Sequence, residues 1–370
     1  MRNGVAASPP AHGGQLHAIA AQFSVPATKL LDFSASIVPG GPSPRVTRAI
    51  ANALGNPEEL RAYPDLDSQA LRSTLASYAN VSASNIVVGN GMVPLLSATL
   101  HAMDVQRCML PVPAFGEYRR TLLHEGVDVE LWPLSEAAGF QPDLEHLIAC
   151  CKECECDALL LTNPHNPTGA VLQATELSAA VQQAQRYGIR ILLDEAFIDF
   201  IPQESVSAQV PDLHHLVVFR SVTKFFAIAG LRVAYMIAPK HLVPGVGELL
   251  APWPISTLAA VGAIAALEDE IWIAKTLARN RQERERLAVQ LAALGLKVYP
   301  AGANFLLFHL GNGYRNHNVW ERLILEHGIV VRNCAAFETL DDTYFRVAVL
   351  GSDDNQRLIR ALEAVLNGQS

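Results

Sequence analysis

From about residue 84 to residue 238, short runs of Val, Ile and Leu alternate with stretches whose apolar positions recur every three to four residues. The runs predict strands at 85–88, 107–110, 127–132, 158–162, 189–193, 216–219 and 233–237. Between them, patterns such as 174–187 predict helices, with Gly188 and Pro211 at the joins. Strands that are apolar at every position are buried on both faces, so the expected core is a mostly parallel, seven-stranded sheet covered by helices. After about Trp272 the rhythm changes to a long charged helix over 274–294, a strand at 303–310, a helix at 319–327, strands at 329–332 and 344–349, and a last helix at 355–366. The fold class expected is therefore α/β, with a large domain over 46–245. A small α+β domain is expected from 1–45, which includes an N-terminal arm, and 246–370.

Composition narrows the classes of function. Half of the 370 residues are hydrophobic, only 17% are charged and the formal charge is −8. Such a chain folds, and without a long Lys/Arg run it lacks the basic face that nucleic acid requires. Residues 249–267 carry no charge and approach membrane-spanning length, but Pro252 and Pro254 leave a helix of only 255–267, expected to be a buried helix with no membrane role. Cys150, Cys151, Cys154 and Cys156 crowd together, with no second CxxC to complete a zinc site. They are expected to be reduced thiols, with no metal bound. Residues 1–14 contain no apolar stretch of signal-peptide length, and the expected location is cytoplasmic.

Ligands of parallel sheets bind beyond the carboxyl ends of the strands, so the polar residues after each apolar run matter most. The first run ends in Gly89-Asn90-Gly91 and enters a helix pattern at Met92. Pro94 stands where a dinucleotide fingerprint needs its third glycine, yet the turn still suits a phosphate, because free N–H groups point outward there. Another run leads into Thr162-Asn163-Pro164-His165-Asn166-Pro167-Thr168-Gly169, a loop stiffened by two prolines. A third ends in Asp194, a carboxylate that needs a cation if buried. A fourth gives Arg220-Ser221-Val222-Thr223-Lys224, with Arg232 eight residues on. Together these offer an amine nucleophile, a carboxylate, hydroxyls and an arginine. Each taken singly also fits a structural ion pair, with Asp194–Lys224 the plainest.

The ordered set Asn163 to Gly169, Asp194-Glu195-Ala196-Phe197 and Ser221 to Lys224 followed by Gly230-Leu231-Arg232 resembles the fold-type-I pyridoxal-phosphate enzymes of the class I/II aminotransferase family. The resemblance implies that Lys224 bonds the cofactor aldehyde, Asp194 pairs with its pyridine nitrogen and Asn166 meets its ring hydroxyl. It also implies that Ser221, Thr223, Arg232 and the Gly91-Met92 turn hold the cofactor phosphate, and that Phe115 stacks on the ring. Tyr63 matches a tyrosine that reaches the cofactor of a neighbouring subunit, so a homodimer is implied. Phe197 stands where many relatives carry a tyrosine.

Within that family, the His12-Gly13-Gly14 segment and the Asp194-to-Phe200 run resemble the threonine-phosphate decarboxylases of cobalamin biosynthesis. That likeness implies a small phosphorylated amino acid substrate, its phosphate met by His12, Ser36 and Arg332 and its carboxylate by Arg346. Ser36 and Val38 replace asparagines usual in that segment, and Met92-Val93-Pro94 replaces a polar stretch. Amino transfer from histidinol phosphate is the alternative reaction. A non-catalytic binder or regulator is a third reading, at odds with the intact Asp194, Lys224 and Arg232 set.

Overall fold

The structure is a computed structural model that describes residues 9–311 and 319–368. Its main sheet contains β2 (Ile86–Gly89), β3 (Arg107–Val112), β4 (Asp128–Pro133), β5 (Ala158–Thr162), β6 (Arg190–Asp194), β7 (Leu216–Ser221) and β8 (Ala234–Ile237), preceded in the chain by β1 (Leu31–Asp32). The spatial order is β2-β8-β7-β6-β5-β3-β4. The pairs β3–β4, β3–β5, β5–β6 and β6–β7 are parallel, whereas β8 runs antiparallel to both β7 and β2. All seven expected strands form, within two residues of their expected ends. Every residue of β5 and β7 is buried, as helices on both faces require.

The second sheet has the order β12-β13-β10-β9, from β9 (Lys297–Val298), β10 (Phe305–His309), β12 (Arg332–Asn333) and β13 (Tyr344–Ala348). The apolar run expected as one strand over 329–332 is split. Its first half, β11 (Ile329–Val330), pairs in parallel with β1, and only its second half joins β13. The helices Glu270–Ala293 and Ser352–Asn367 close this layer over a core of Leu, Val and Phe side chains.

One short segment serves both sheets. Phe33 donates its N–H to the Val330 carbonyl and accepts from the Ala348 N–H, both at 2.8 Å, whereas Val38 N–H reaches the Lys224 carbonyl at 3.2 Å. The uncharged stretch at 249–267 is broken as its prolines require: Leu249 ends one helix (Val243–Leu249), and the next, Thr257–Leu267, is capped by Ser256. Among the described residues no helix is long and apolar enough to cross a membrane. All six cysteines are free, and no cluster suited to a metal ion occurs among the described residues.

Candidate active site

The carboxyl ends of β5, β6 and β7 place Thr162, Asp194 and Ser221 at one end of the sheet. A cavity of about 520 Å³ opens there against the second sheet. Met92, Phe115, Asn166, Asp194, Lys224 and Arg232 line it from the large domain. His12, Ser36, Arg332 and Arg346 line it from the other side.

Asp194 is 5% exposed, and its carboxylate is met from several directions. Oδ1 accepts the Ala196 N–H at 2.7 Å, and Oδ2 accepts the Tyr118 hydroxyl at 2.5 Å. Burial raises the Asp194 pKa above its ordinary value, opposed by Tyr118, by the Lys224 amine and by the Ala196 N–H. Lys224 shows the converse: burial lowers its pKa, Asp194 works against that, and Arg232 adds to it. Its Nζ donates to Ser221 Oγ at 3.2 Å, and Ser221 and Thr223 share a 2.6 Å hydrogen bond. Ser221 and Thr223 therefore stand as a linked hydroxyl pair beside the lysine amine.

Arg232 adopts a left-handed backbone with φ of 57°, ending the short turn Ala229–Leu231. The guanidinium lies against Gly91, whose own φ is 93° and which precedes the helix Met92–Ala102. A Cβ at Gly91 would come within 2.9 Å of Arg232 Nη2, so only glycine leaves this space open. A cation beside free helix N–H groups makes an anion cradle. Across the cavity, Arg346 bonds Asn166 Oδ1 and, at 3.2 Å, the Ser34 carbonyl. Arg332 bonds the carbonyls of Pro10 and, at 2.6 Å, Ala11, pinning the N-terminal segment. His12 Nε2 lies 3.1 Å from Glu117 Oε1, and the His12 ring meets Phe115 edge to face at 6.0 Å.

Residues 28–362 match the family described as aminotransferase class I and II. The chain belongs to that family. It is 36% identical over 361 residues to a threonine-phosphate decarboxylase of Salmonella typhimurium, covering 97% of both chains. A histidinol-phosphate aminotransferase from Clostridium acetobutylicum shares its fold with a TM-score of 0.82 and 29% identity, over 92% of this chain and all of that one. A second such enzyme, from Sinorhizobium meliloti and solved with pyridoxal 5'-phosphate, superposes with a TM-score of 0.86 at 22% identity, over 99% and 96% of the two chains.

This aminotransferase-family chain is a pyridoxal-phosphate-dependent enzyme, and its residues fit the group. The buried Asp194 supplies the anion that a protonated pyridine requires, the Arg232 guanidinium against the Gly91 turn at a helix N-terminus supplies a cation for a phosphate, and the desolvated Lys224 supplies the amine. Two residues at the site escaped the sequence reading. Tyr118 and Glu117 sit on the helix Gly116–His124 and line the cavity. The signal was present, since Glu117 and Tyr118 follow closely on Phe115 at the start of that helix, beyond the end of β3. One expected residue lies elsewhere. Tyr63 is 80% exposed and stacks on Trp253 at 4.7 Å, away from the cavity of its own chain.

Proposed function

We propose that this enzyme is a lyase that removes the carboxylate of L-threonine O-3-phosphate, giving (R)-1-aminopropan-2-ol O-phosphate for cobalamin biosynthesis. The observation that carries the reading is the pair Arg332 and Arg346. They are directly opposite each other in the β12–β13 ladder, both are buried, and both line the cavity. Among the described residues each is hydrogen-bonded only to neutral oxygens. Burial pushes the Arg346 pKa down to about 10, and the neighbouring Arg332 charge adds to the shift. Two buried like charges without a counterion are costly, and a substrate with an anion at each end relieves both. Threonine phosphate has a carboxylate and a phosphate; histidinol phosphate has the phosphate alone. The 36% identity to a protein named threonine-phosphate decarboxylase supports the same choice.

In this reading Lys224 holds the cofactor covalently, Asp194 faces its ring nitrogen, Asn166 its ring hydroxyl, and Phe115 packs on its ring. Ser221, Thr223, Arg232 and the Gly91-Met92 turn hold its phosphate. When bound, the cofactor draws electrons from whichever substrate Cα bond stands perpendicular to its ring. Arg346 grips the carboxylate while His12, Ser36 and Arg332 take the substrate phosphate. Anchored at both ends, the substrate presents its Cα–carboxylate bond. Lys224 Nζ then delivers the proton that replaces carbon dioxide at Cα. Burial lowers the Lys224 pKa, which eases the change between the neutral amine that bonds the cofactor and the ammonium that delivers this proton.

We also assign the enzyme to a homodimer, in which Tyr63 reaches the cofactor phosphate of the neighbouring subunit. Its own exposure, with Leu60 and Leu66 beside it in sequence at 54% and 57% exposed, supports a surface that a second copy covers. Amino transfer from histidinol phosphate is the second reading, favoured by the likeness to the Clostridium enzyme. Carbon dioxide release from L-threonine O-3-phosphate, with no added oxo acid, is the expected result. Absence of release together with oxo-acid-dependent turnover of histidinol phosphate would decide for the second reading.

A further inference from the structure

We propose that Tyr118, itself held by Thr162, is a positioning residue that keeps the proton between Asp194 and the cofactor on the ring nitrogen. The proposal rests on the reading that Asp194 faces that nitrogen. Thr162 is the register partner of Asp194 across β5 and β6, and its Oγ1 donates to the Tyr118 hydroxyl oxygen at 3.2 Å. The single hydroxyl hydrogen of Tyr118 is thereby turned toward Asp194 Oδ2, 2.5 Å away. Tyr118 is 2% exposed and packed edge to face on Phe115 at 5.4 Å, so the phenol has little freedom to turn elsewhere. Burial also pushes its pKa well above the ordinary tyrosine value, which keeps it a donor.

The consequence is chemical. Each carboxylate oxygen has two acceptor positions. Oδ1 gives one to the Ala196 N–H and Oδ2 gives one to Tyr118, which leaves Oδ2 able to accept a ring N–H as well. A proton shared by the two groups can sit as N–H⁺ beside COO⁻ or as N beside COOH, with the same atoms and the same total charge. Burial pulls toward the neutral pair, because it raises the proton affinity of Asp194. A strong donor on the carboxylate pulls the other way. Tyr118 is thus the contact that separates an electron-withdrawing pyridinium from an unprotonated ring. The Lys224 amine and the Ala196 N–H are the other groups that stabilise the Asp194 anion.

The test uses the holoenzyme loaded with cofactor isotopically labelled at its ring nitrogen, and reads the NMR shift of that nitrogen. In the parent protein the shift is that of a protonated pyridine. Tyr118→Phe moves it toward the unprotonated position and weakens retention of the cofactor by the apoprotein roughly tenfold or more. Thr162→Val, which keeps the phenol, moves it the same way by less, and remains informative if Tyr118→Phe fails to fold. The double variant shifts no further than Tyr118→Phe alone. An unmoved shift in folded Tyr118→Phe, or in Thr162→Val where the first variant does not fold, overturns the proposal. Asp194→Asn keeps the two readings apart: if that variant moves the signal and Tyr118→Phe does not, only the role of Tyr118 falls. If Asp194→Asn leaves the signal unmoved, the pairing of Asp194 with the ring falls with it.

Discussion

The two walls of the cavity are built in opposite ways. On the large-sheet wall, Asp194, Ser221 and Lys224 stand at or just beyond the ends of adjacent strands, and their partners are nearby backbone, the neighbouring hydroxyls and the Tyr118 phenol. On the opposite wall, Arg332 and Arg346 lean on carbonyl and amide oxygens of other segments, and His12, from the far end of the chain, lies against the Glu117 carboxylate. The first wall is internally compensated: a buried acid faces a buried amine. The second carries an excess of positive charge that nothing on that wall neutralises. The chemistry common to the family fits the compensated wall, and substrate choice fits the uncompensated one.

Substitutions should separate the walls, beginning with the largest effect. Lys224→Ala removes the proposed covalent anchor, and turnover is expected to fall by roughly 10⁴-fold or more. After borohydride reduction, mass spectrometry should find no cofactor on the variant chain; label on another lysine would refute the anchor. Asp194→Asn keeps the shape but loses the anion, with an expected loss of roughly 10²–10³-fold in kcat, and near-normal rates would remove its electrostatic role. Both changes should act alike on every substrate. Arg332→Ala, on the other wall, should lower kcat/KM about ten- to two-hundred-fold for phosphorylated substrates. Unphosphorylated analogues should be nearly unaffected, and an equal loss on both would make Arg332 structural.

The smallest effect is on acid stability. His165, in the loop that carries Asn166, is held by burial at a pKa of about 4, below its ordinary value of 6.5. The unfolded chain therefore takes up the proton first, and stability falls as pH drops from about 6.5 to about 4, then levels. His165→Asn should flatten that limb by at most about 3 kcal/mol, measured by urea unfolding across the range. A limb of unchanged slope would show that other groups govern it.

The sequence was most informative where structure is local. Strands β2 to β8 announced themselves as apolar runs, and the polar residues beyond them fell on the cavity as parallel-sheet geometry demands. The small sheet and the β1–β11 pair beside it were less legible, because β1, β9, β11 and β12 are two residues long and are set by tertiary pairing. No pattern over 329–332 could reveal that Ile329 and Arg332 belong to different sheets. Tyr118 was missed for a related reason: its bond to Asp194 spans 76 residues and depends on how the helix Gly116–His124 docks on the sheet. His12 and Arg346 were legible only through likeness to a family, since neither follows an apolar run of the large sheet.

The segment from Phe33 to Val38 behaves as a tendon. One end is sewn between two strands of the small layer, the other is tied to the backbone carbonyl of Lys224, the proposed cofactor anchor, and Ser34, Ala35 and Ser36 form cavity wall between them. Five peptide units leave little slack. Any swing of the small layer that widens or narrows the substrate end must draw on the main chain at Lys224, so the grip on the substrate and the seat of the amine are geared to each other. An insertion of one residue between Phe33 and Val38 would let each layer move without the other, even with every side chain at the site left intact.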